Sequence, residues 1–292
     1  MTDTQLTLPA ALPPDALGEQ HIIIGEQHII QGDCLDVLPR LASQSIEVIV
    51  TSPPYNQGIR YGTYRDTLSD EDYLTQAEGL FTELKRVLAP GGSLFLNLPG
   101  STKNPRLMMR LQLLALDHFV LQNQLIWAKS VAIGARTHGR FRPIRSERFM
   151  NRTHELLLHL THTGTVPLQR EAIGVPYTHP SNRTRWRVGP RDRHCAGTVW
   201  HVPYENNTGA NRIAHPAQFP LALVRRCLIL HGKPGTVLDP YLGSGTTVCA
   251  AAEMGWPAIG IEIDPTYAAL ALRRLADTTL AQARSKFVEV PV

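Results

Sequence analysis

Short apolar, β-branched runs alternate along this chain with longer segments whose apolar positions recur every three to four residues. These are the periods of buried strands and of amphipathic helices. Strands are predicted over His28 to Asp33, Ser45 to Thr51, Ser93 to Leu98, Val120 to Lys129, His154 to His162, Thr236 to Asp239 and Ala258 to Ile263. Helices are predicted over Cys34 to Leu41, Asp70 to Leu88, Asn104 to Asp117, a segment ending at Leu230, Val248 to Met254, and from Pro265 onward. Ser69 or Asp70 can cap the second helix, and Pro90-Gly91-Gly92 reads as its end. Alternating strands and helices predict an α/β protein with a mainly parallel sheet, built like a dinucleotide-binding fold.

The segments between carry less pattern. Gln57 to Ser69, with Arg60, Tyr61, Tyr64 and Arg65 beside Gly58 and Gly62, reads as a mobile polar loop. Residues 1–27 read as an N-terminal arm, Pro-rich over 1–18. At its end Gly18-Glu19-Gln20-His21-Ile22-Ile23 is echoed by Gly25-Glu26-Gln27-His28-Ile29-Ile30, either as two strands of a hairpin or as a local duplication.

Two strand ends carry candidate chemistry. The run Val48-Ile49-Val50-Thr51 stops at Ser52-Pro53-Pro54-Tyr55, and consecutive prolines can neither continue a sheet ladder nor enter a helix interior. Ser52 and Tyr55 are therefore held on a stiff turn at a strand's carboxyl end, where open α/β sheets bind their ligands. The second is Asp239-Pro240-Tyr241-Leu242-Gly243-Ser244-Gly245-Thr246-Thr247, a strand, a Gly-x-Gly turn and a helix start. Its glycines let backbone approach a ligand, and the helix start offers unpaired N–H groups. Glu262 ends the following strand, at the spacing of an acid that holds ribose hydroxyls. The third glycine of the dinucleotide fingerprint is missing, since Val248 stands there.

Composition adds a substrate class. Residues 130–212 hold 13 Arg, no Lys and 5 Asp+Glu, a net of +8, whereas the remainder carries a net of −4. A cationic segment in a slightly acidic body suggests a polyanion partner, and arginine's fork suits phosphate and the guanine edge. Arg136, Arg140, Arg142 and Arg145 fall in an Arg-rich loop over 130–153, and Arg183, Arg185, Arg187, Arg191 and Arg193 in a second stretch. The four cysteines form no Cys-x-x-Cys and the histidines have no ligand spacing, so no metal site is expected. With no apolar run long enough to span a bilayer and no signal-peptide pattern, a cytoplasmic protein is expected.

In order and spacing these motifs resemble the amino-group DNA methyltransferases that use S-adenosyl-L-methionine, in the permuted β arrangement. There the Ser/Asp/Asn-Pro-Pro-Tyr motif precedes the cofactor turn and the target-recognition region lies between them. Thr51 to Tyr55, the Arg-rich stretch, His215-Pro216-Ala217-Gln218-Phe219-Pro220 and Asp239 to Thr247 follow that order, and Gly32-Asp33-Cys34-Leu35 matches the segment that reaches the cofactor's adenine. The resemblance implies a Rossmann-like methyltransferase fold with a small inserted target-recognition region. A catalytic half would span 28–164, the recognition region 165–212 and a cofactor-binding half 213–292. It implies that Asp239, Gly243, Gly245 and Thr246 line the methionine part of the cofactor, that Glu262 binds the ribose and Asp33 the adenine, and that Phe219 and Pro220 close the pocket. Ser52 Oγ and the Pro53 carbonyl would accept from the target amine, Pro54 would complete the turn, and Tyr55 would stack on a base flipped from duplex DNA. The amine's proton would leave late, to water. Ser at position 52 resembles the cytosine-N4 members, Asp being usual in adenine-N6 enzymes. The carbon-5 mechanism needs a nucleophilic Cys after Pro, and none of the four cysteines follows one. The expected partners are double-stranded DNA, a companion restriction endonuclease and a second copy of the chain. The alternatives are an adenine-N6 enzyme, an RNA or protein-amide methyltransferase, and a non-catalytic DNA-binding protein.

Overall fold

The computed structural model describes residues 20–100, 103–139, 145, 147–178, 193–204 and 218–288. Its centre is a nine-stranded sheet. In chain order the strands are β1 (Gln20–Ile24), β2 (Gln27–Gln31), β3 (Ile46–Thr51), β4 (Leu88–Pro99), β5 (Val120–Ala128), β6 (His154–Thr161), β7 (Val199–His201), β8 (Val237–Asp239) and β9 (Ala258–Glu262). They lie side by side as β1-β2-β9-β8-β3-β4-β6-β5-β7. From β2 to β4 every neighbour is parallel, β6 runs against both β4 and β5, and β1 runs against β2. The main parallel block is therefore five strands wide, with its carboxyl ends on one edge.

Among the described residues six α-helices cover the faces: α1 (Cys34–Val37), α2 (Asp70–Val87), α3 (Pro105–His118), α4 (Leu221–His231), α5 (Thr246–Glu253) and α6 (Pro265–Val288). Side-chain alternation divides the core. Ile49, Leu94, Leu96 and Leu98 pack with α1, α2 and α3, whereas Val48, Val50 and Phe95 pack with α4, α5 and α6. Strands buried on both faces read as continuous apolar runs, which is why β3 was legible without alternation.

The echo at the amino end is a hairpin. Gln20 to Ile24 pairs antiparallel with Gln31 to Gln27 across a turn at Gly25 (φ +62°) and Glu26. Helix α2 begins where expected: Ser69 Oγ accepts from Asp72 N at 3.1 Å, a cap worth about 1 kcal/mol. Its end differs. Leu88 is already extended and buried, and Pro90-Gly91-Gly92 lies inside β4 as an irregularity, so that Ile46 pairs with Leu88 but Val48 with Ser93. Two further segments take structure that their composition did not signal. Ser130–Ile133 and Arg136–Gly139 form an antiparallel ribbon within the expected Arg-rich loop, and Val199–His201 adds the outermost strand by pairing parallel with β5.

Candidate active site

The carboxyl ends of β2, β3, β8 and β9 converge on one cleft. Gly32, Asp33 and Cys34 line it after β2, Ser52 and Pro54 after β3, Pro240 to Ser244 with Thr246 after β8, and Glu262 at the end of β9. Gln218, Phe219, Tyr61, Tyr64 and Tyr267 complete the lining.

Glu262 is 8 % exposed, and each of its oxygens accepts one backbone bond, from Gly243 N at 2.7 Å and from Asp264 N at 2.8 Å. Burial pushes its carboxyl up to about 7, against the pull of those two N–H groups. A carboxylate held in this way keeps a second lone pair on each oxygen for a ligand's two hydroxyls. Asp33 uses Oδ1 to cap α1 through Leu35 N at 2.9 Å and stands in the cavity wall.

Asp239 and Gly245 are one layer further back than expected. Asp239 accepts from Thr51 Oγ1 at 3.0 Å, Tyr241 N at 3.1 Å and Thr247 Oγ1 at 2.6 Å, and its burial raises the carboxyl to about 6. It is not among the lining residues; it ties β3 to the glycine turn behind the wall. Gly245 adopts φ +87°, and a Cβ there would stand 2.8 Å from that of Ala271, so this glycine serves the approach of α5 to α6. Pro220 is buried beside the lining Phe219 and precedes α4.

The expected mobile loop is a short ribbon, Arg60–Tyr61 against Tyr64–Arg65, fastened at its base and tip. Asp66 is 2 % exposed and accepts from the backbone N–H groups of Asn56 (2.7 Å), Gln57 (3.0 Å) and Ile59 (2.8 Å). Asn56 holds φ +51°, a conformation that its short amide tolerates better than most side chains, and bonds Leu68 in both directions. At the tip Thr63 N donates to Asp264 at 3.0 Å. These bonds bring Tyr61 and Tyr64 to the cleft.

At the Pro-Pro turn Tyr73 donates to the Pro54 carbonyl at 2.7 Å, whereas the Pro53 carbonyl takes no hydrogen bond from the described residues. Ser52 Oγ lies 2.6 Å from the Tyr55 hydroxyl. Tyr55 itself is only 7 % exposed, and its hydroxyl reaches Ser52. Around it stand residues the motifs did not signal: Asn97 from β4, Glu155 from β6 and Lys129 after β5.

Of the arginines expected on DNA, Arg136 and Arg145 are exposed. Arg193 is exposed too, but its guanidinium donates twice to the Gly174 carbonyl, at 2.7 and 3.2 Å. Arg140, Arg142, Arg183, Arg185, Arg187 and Arg191 lie outside the described residues, as do His215 to Ala217. Among the described residues no group of three or more His, Cys, Asp or Glu could hold a metal ion, and no helix is long and apolar enough to cross a membrane.

The cleft sets a buried carboxylate at the end of β9 against a hydroxyl and, among the described residues, an unpartnered carbonyl on a rigid turn, an arrangement compatible with a methyltransferase of the S-adenosyl-L-methionine class. Residues 46–273 match the family model N6_N4_Mtase, described as DNA methylase. The chain belongs to that family, and it is a DNA methyltransferase. It is 31% identical over 283 residues to "Type II methyltransferase M.Cfr9I" of Citrobacter freundii, covering 84% of this chain and 86% of the relative. To "DNA adenine methyltransferase YhdJ" of Escherichia coli (strain K12) it is 28% identical over 252 residues, covering 84% and 81%. Among solved structures it resembles the cytosine-N4-specific PvuII DNA methyltransferase, with TM-score 0.61, 18% identity and coverage of 87% and 91%. That match shows the shared fold. The cofactor is S-adenosyl-L-methionine, and the cleft fits it: Glu262 and Asp33 offer acceptors, and the Gly243 turn admits close approach.

Proposed function

We propose that this chain methylates the exocyclic N4 of a cytosine flipped out of duplex DNA, as the modification enzyme of a Type II restriction–modification system in the cytoplasm. In this reading the parts follow the permuted β order, with residues 28–164 as the catalytic half, 165–212 as the recognition region and 213–292 as the cofactor half. The observation that carries the reading is the pair of acceptors at the Pro-Pro turn: Ser52 Oγ at the cleft wall and the Pro53 carbonyl without a partner among the described residues.

S-adenosyl-L-methionine supplies an electrophilic methyl group on a sulfonium. Glu262 holds its ribose, Asp33 its adenine amine, and Phe219 bounds the pocket. The target amine is nearly planar, its lone pair conjugated into the base. Ser52 Oγ and the Pro53 carbonyl each accept one of its N–H groups, which favours a tetrahedral nitrogen with its lone pair free. Catalysis is then positioning and electrostatics, with no covalent enzyme intermediate. The ribbon at 130–139, with Arg136 exposed at one side, has dimensions that a major groove admits.

Adenine-N6 methylation is the second reading, favoured by the similarity to an adenine enzyme along most of the chain. Ser at position 52, rather than Asp, favours cytosine. Nucleoside analysis of unmethylated DNA incubated with the protein decides between them. N4-methylcytosine is the expected new nucleoside, and 6-methyladenine as the sole product would overturn the cytosine assignment. Mapping the modified positions in the same DNA gives the recognition sequence.

A further inference from the structure

Behind Ser52 lies a polar chain that the cofactor cleft does not use. Ser52 Oγ is 2.6 Å from the Tyr55 hydroxyl. That hydroxyl accepts from Asn97 Nδ2 at 2.9 Å and stands 3.4 Å from both the Asn97 carbonyl and Glu155 Oε2. The Asn97 amide also donates to Glu155 Oε2, at 2.5 Å. Lys129 Nζ meets Glu155 Oε1 and, at 2.6 Å, the Tyr204 hydroxyl, with the Trp127 and Tyr204 rings each 4.7 Å away. Asn97 is 2 % exposed, and the Glu155 and Lys129 side chains are 13 % exposed.

Counting protons gives this chain a direction. Both hydrogens of the Asn97 amide are engaged, one by Tyr55 and one by Glu155. Turning that amide over would set its oxygen against the carboxylate, so its orientation is determined. Tyr55 therefore already accepts one bond, and its single proton has three acceptors in reach: Ser52 Oγ at 2.6 Å, and the Asn97 carbonyl and Glu155 Oε2, each at 3.4 Å. Given to Ser52, that proton would occupy one of the hydroxyl's two lone pairs and leave a single one for the target amine. Given to Glu155, it lets Ser52 donate to Tyr55 and turn both lone pairs outward. Asn97 can donate but cannot take up a proton, whereas Glu155 can.

We propose that Glu155, acting through the Tyr55 hydroxyl, orients Ser52 as an acceptor for the target amine and receives the proton that the methylated amine releases. This rests on the methyltransferase reading of the site and replaces water as the first acceptor. When the amine lone pair has formed the N–C bond and the carbon–sulfur pair has gone to sulfur, the nitrogen holds one proton in excess. That proton passes to Ser52 Oγ, the Ser52 proton to Tyr55 Oη, and the Tyr55 proton to Glu155 Oε2. The carboxylate becomes a neutral acid, and its partial exposure returns the proton to solvent. The 3.4 Å link is long, as catalytic hydrogen bonds are before substrate tightens them. Glu155 is a positioning residue and proton store, and Ser52 is the catalytic residue that touches the amine. The charged and titratable groups facing Glu155 are Lys129 after β5, Tyr55 on the Pro-Pro turn and Tyr61 on the ribbon, with Tyr204 reached through Lys129.

The test compares wild type, Glu155→Gln, Glu155→Asp and Tyr55→Phe in the full chain. Calorimetry gives S-adenosyl-L-methionine affinity, gel retardation gives affinity for unmethylated plasmid DNA, and single-turnover methylation is followed over roughly pH 5 to 9. Expected for Glu155→Gln, with cofactor and DNA saturating, are both affinities within about twofold of wild type and a rate about 10²-fold lower. Glu155→Asp should restore part of the rate. Tyr55→Phe, which keeps the carboxylate but cuts its link to Ser52, should lose as much. A Glu155→Gln rate within about threefold of wild type overturns the proposal. So does a loss that tracks weakened cofactor or DNA binding. If circular dichroism shows Glu155→Gln unfolded, Tyr55→Phe decides on the same criteria. A wild type that methylates no DNA would sink the methyltransferase reading itself, before any variant is made, and this proposal with it.

Discussion

In its proposed cofactor role Glu262 is subject to two opposed demands. Binding ribose hydroxyls requires an ionised acceptor, whereas burial pushes the carboxyl up to about 7. In the free protein a raised value means that this group favours folding most below its ordinary 4.5, and that the contribution is lost as pH rises through about 7. Cofactor binding has the opposite sign, because it selects the ionised form. Affinity for S-adenosyl-L-methionine should therefore weaken as pH falls below about 7, approaching tenfold per pH unit. Calorimetry on wild type and Glu262→Gln checks it: the variant should bind more weakly and without that pH dependence, and a flat wild-type profile would refute the assignment. That Ser52, Asp33 and Glu262 would line one cleft was legible in the sequence because each ends a strand beside a turn. Asn97, Lys129 and Glu155 were not. They sit at the ends of three strands far apart in sequence, and only the register that sets Glu155 opposite Pro99 on one side and Trp127 on the other brings them together.

Elements that bury a β-branched run or a full amphipathic face were readable, and those that depend on a neighbour were not. Strand β7 is three residues long, too short to show a period, and exists because β5 offers it an edge. Pro90-Gly91-Gly92 looks like a helix stop, but local punctuation does not distinguish a turn from an irregularity inside a strand. Asp66 converted an apparent loop into a fastened ribbon through three backbone bonds, which composition does not reveal. The α5–α6 contact gives a test at this scale. Because Gly245 combines φ +87° with contact at 2.8 Å to Ala271, Gly245→Ala should lower stability by about 2 kcal/mol or more. The shift should be visible as a lower melting temperature with cofactor absent. An unchanged melt would show that α6 moves aside without cost.

For the whole molecule, the Arg-rich segment with a net of +8 sits in a body with a net of −4, so its DNA affinity should depend steeply on salt. If six or more phosphates are neutralised, raising salt from about 50 to 200 mM should weaken binding by about 10³-fold, measured by gel retardation or fluorescence anisotropy. A shallow dependence would move recognition away from these arginines. The sheet's connectivity has one more consequence. The chain leaves the sheet at Thr161, at the end of β6, and rejoins it at Val199, the start of β7. The polar chain behind Ser52 is built from β4, β5, β6 and the Pro-Pro turn, all placed before that excursion except for Tyr204 just after it. On the proposed reading, changes within that excursion would alter the DNA word being read and leave in place the strands that hold the reaction centre.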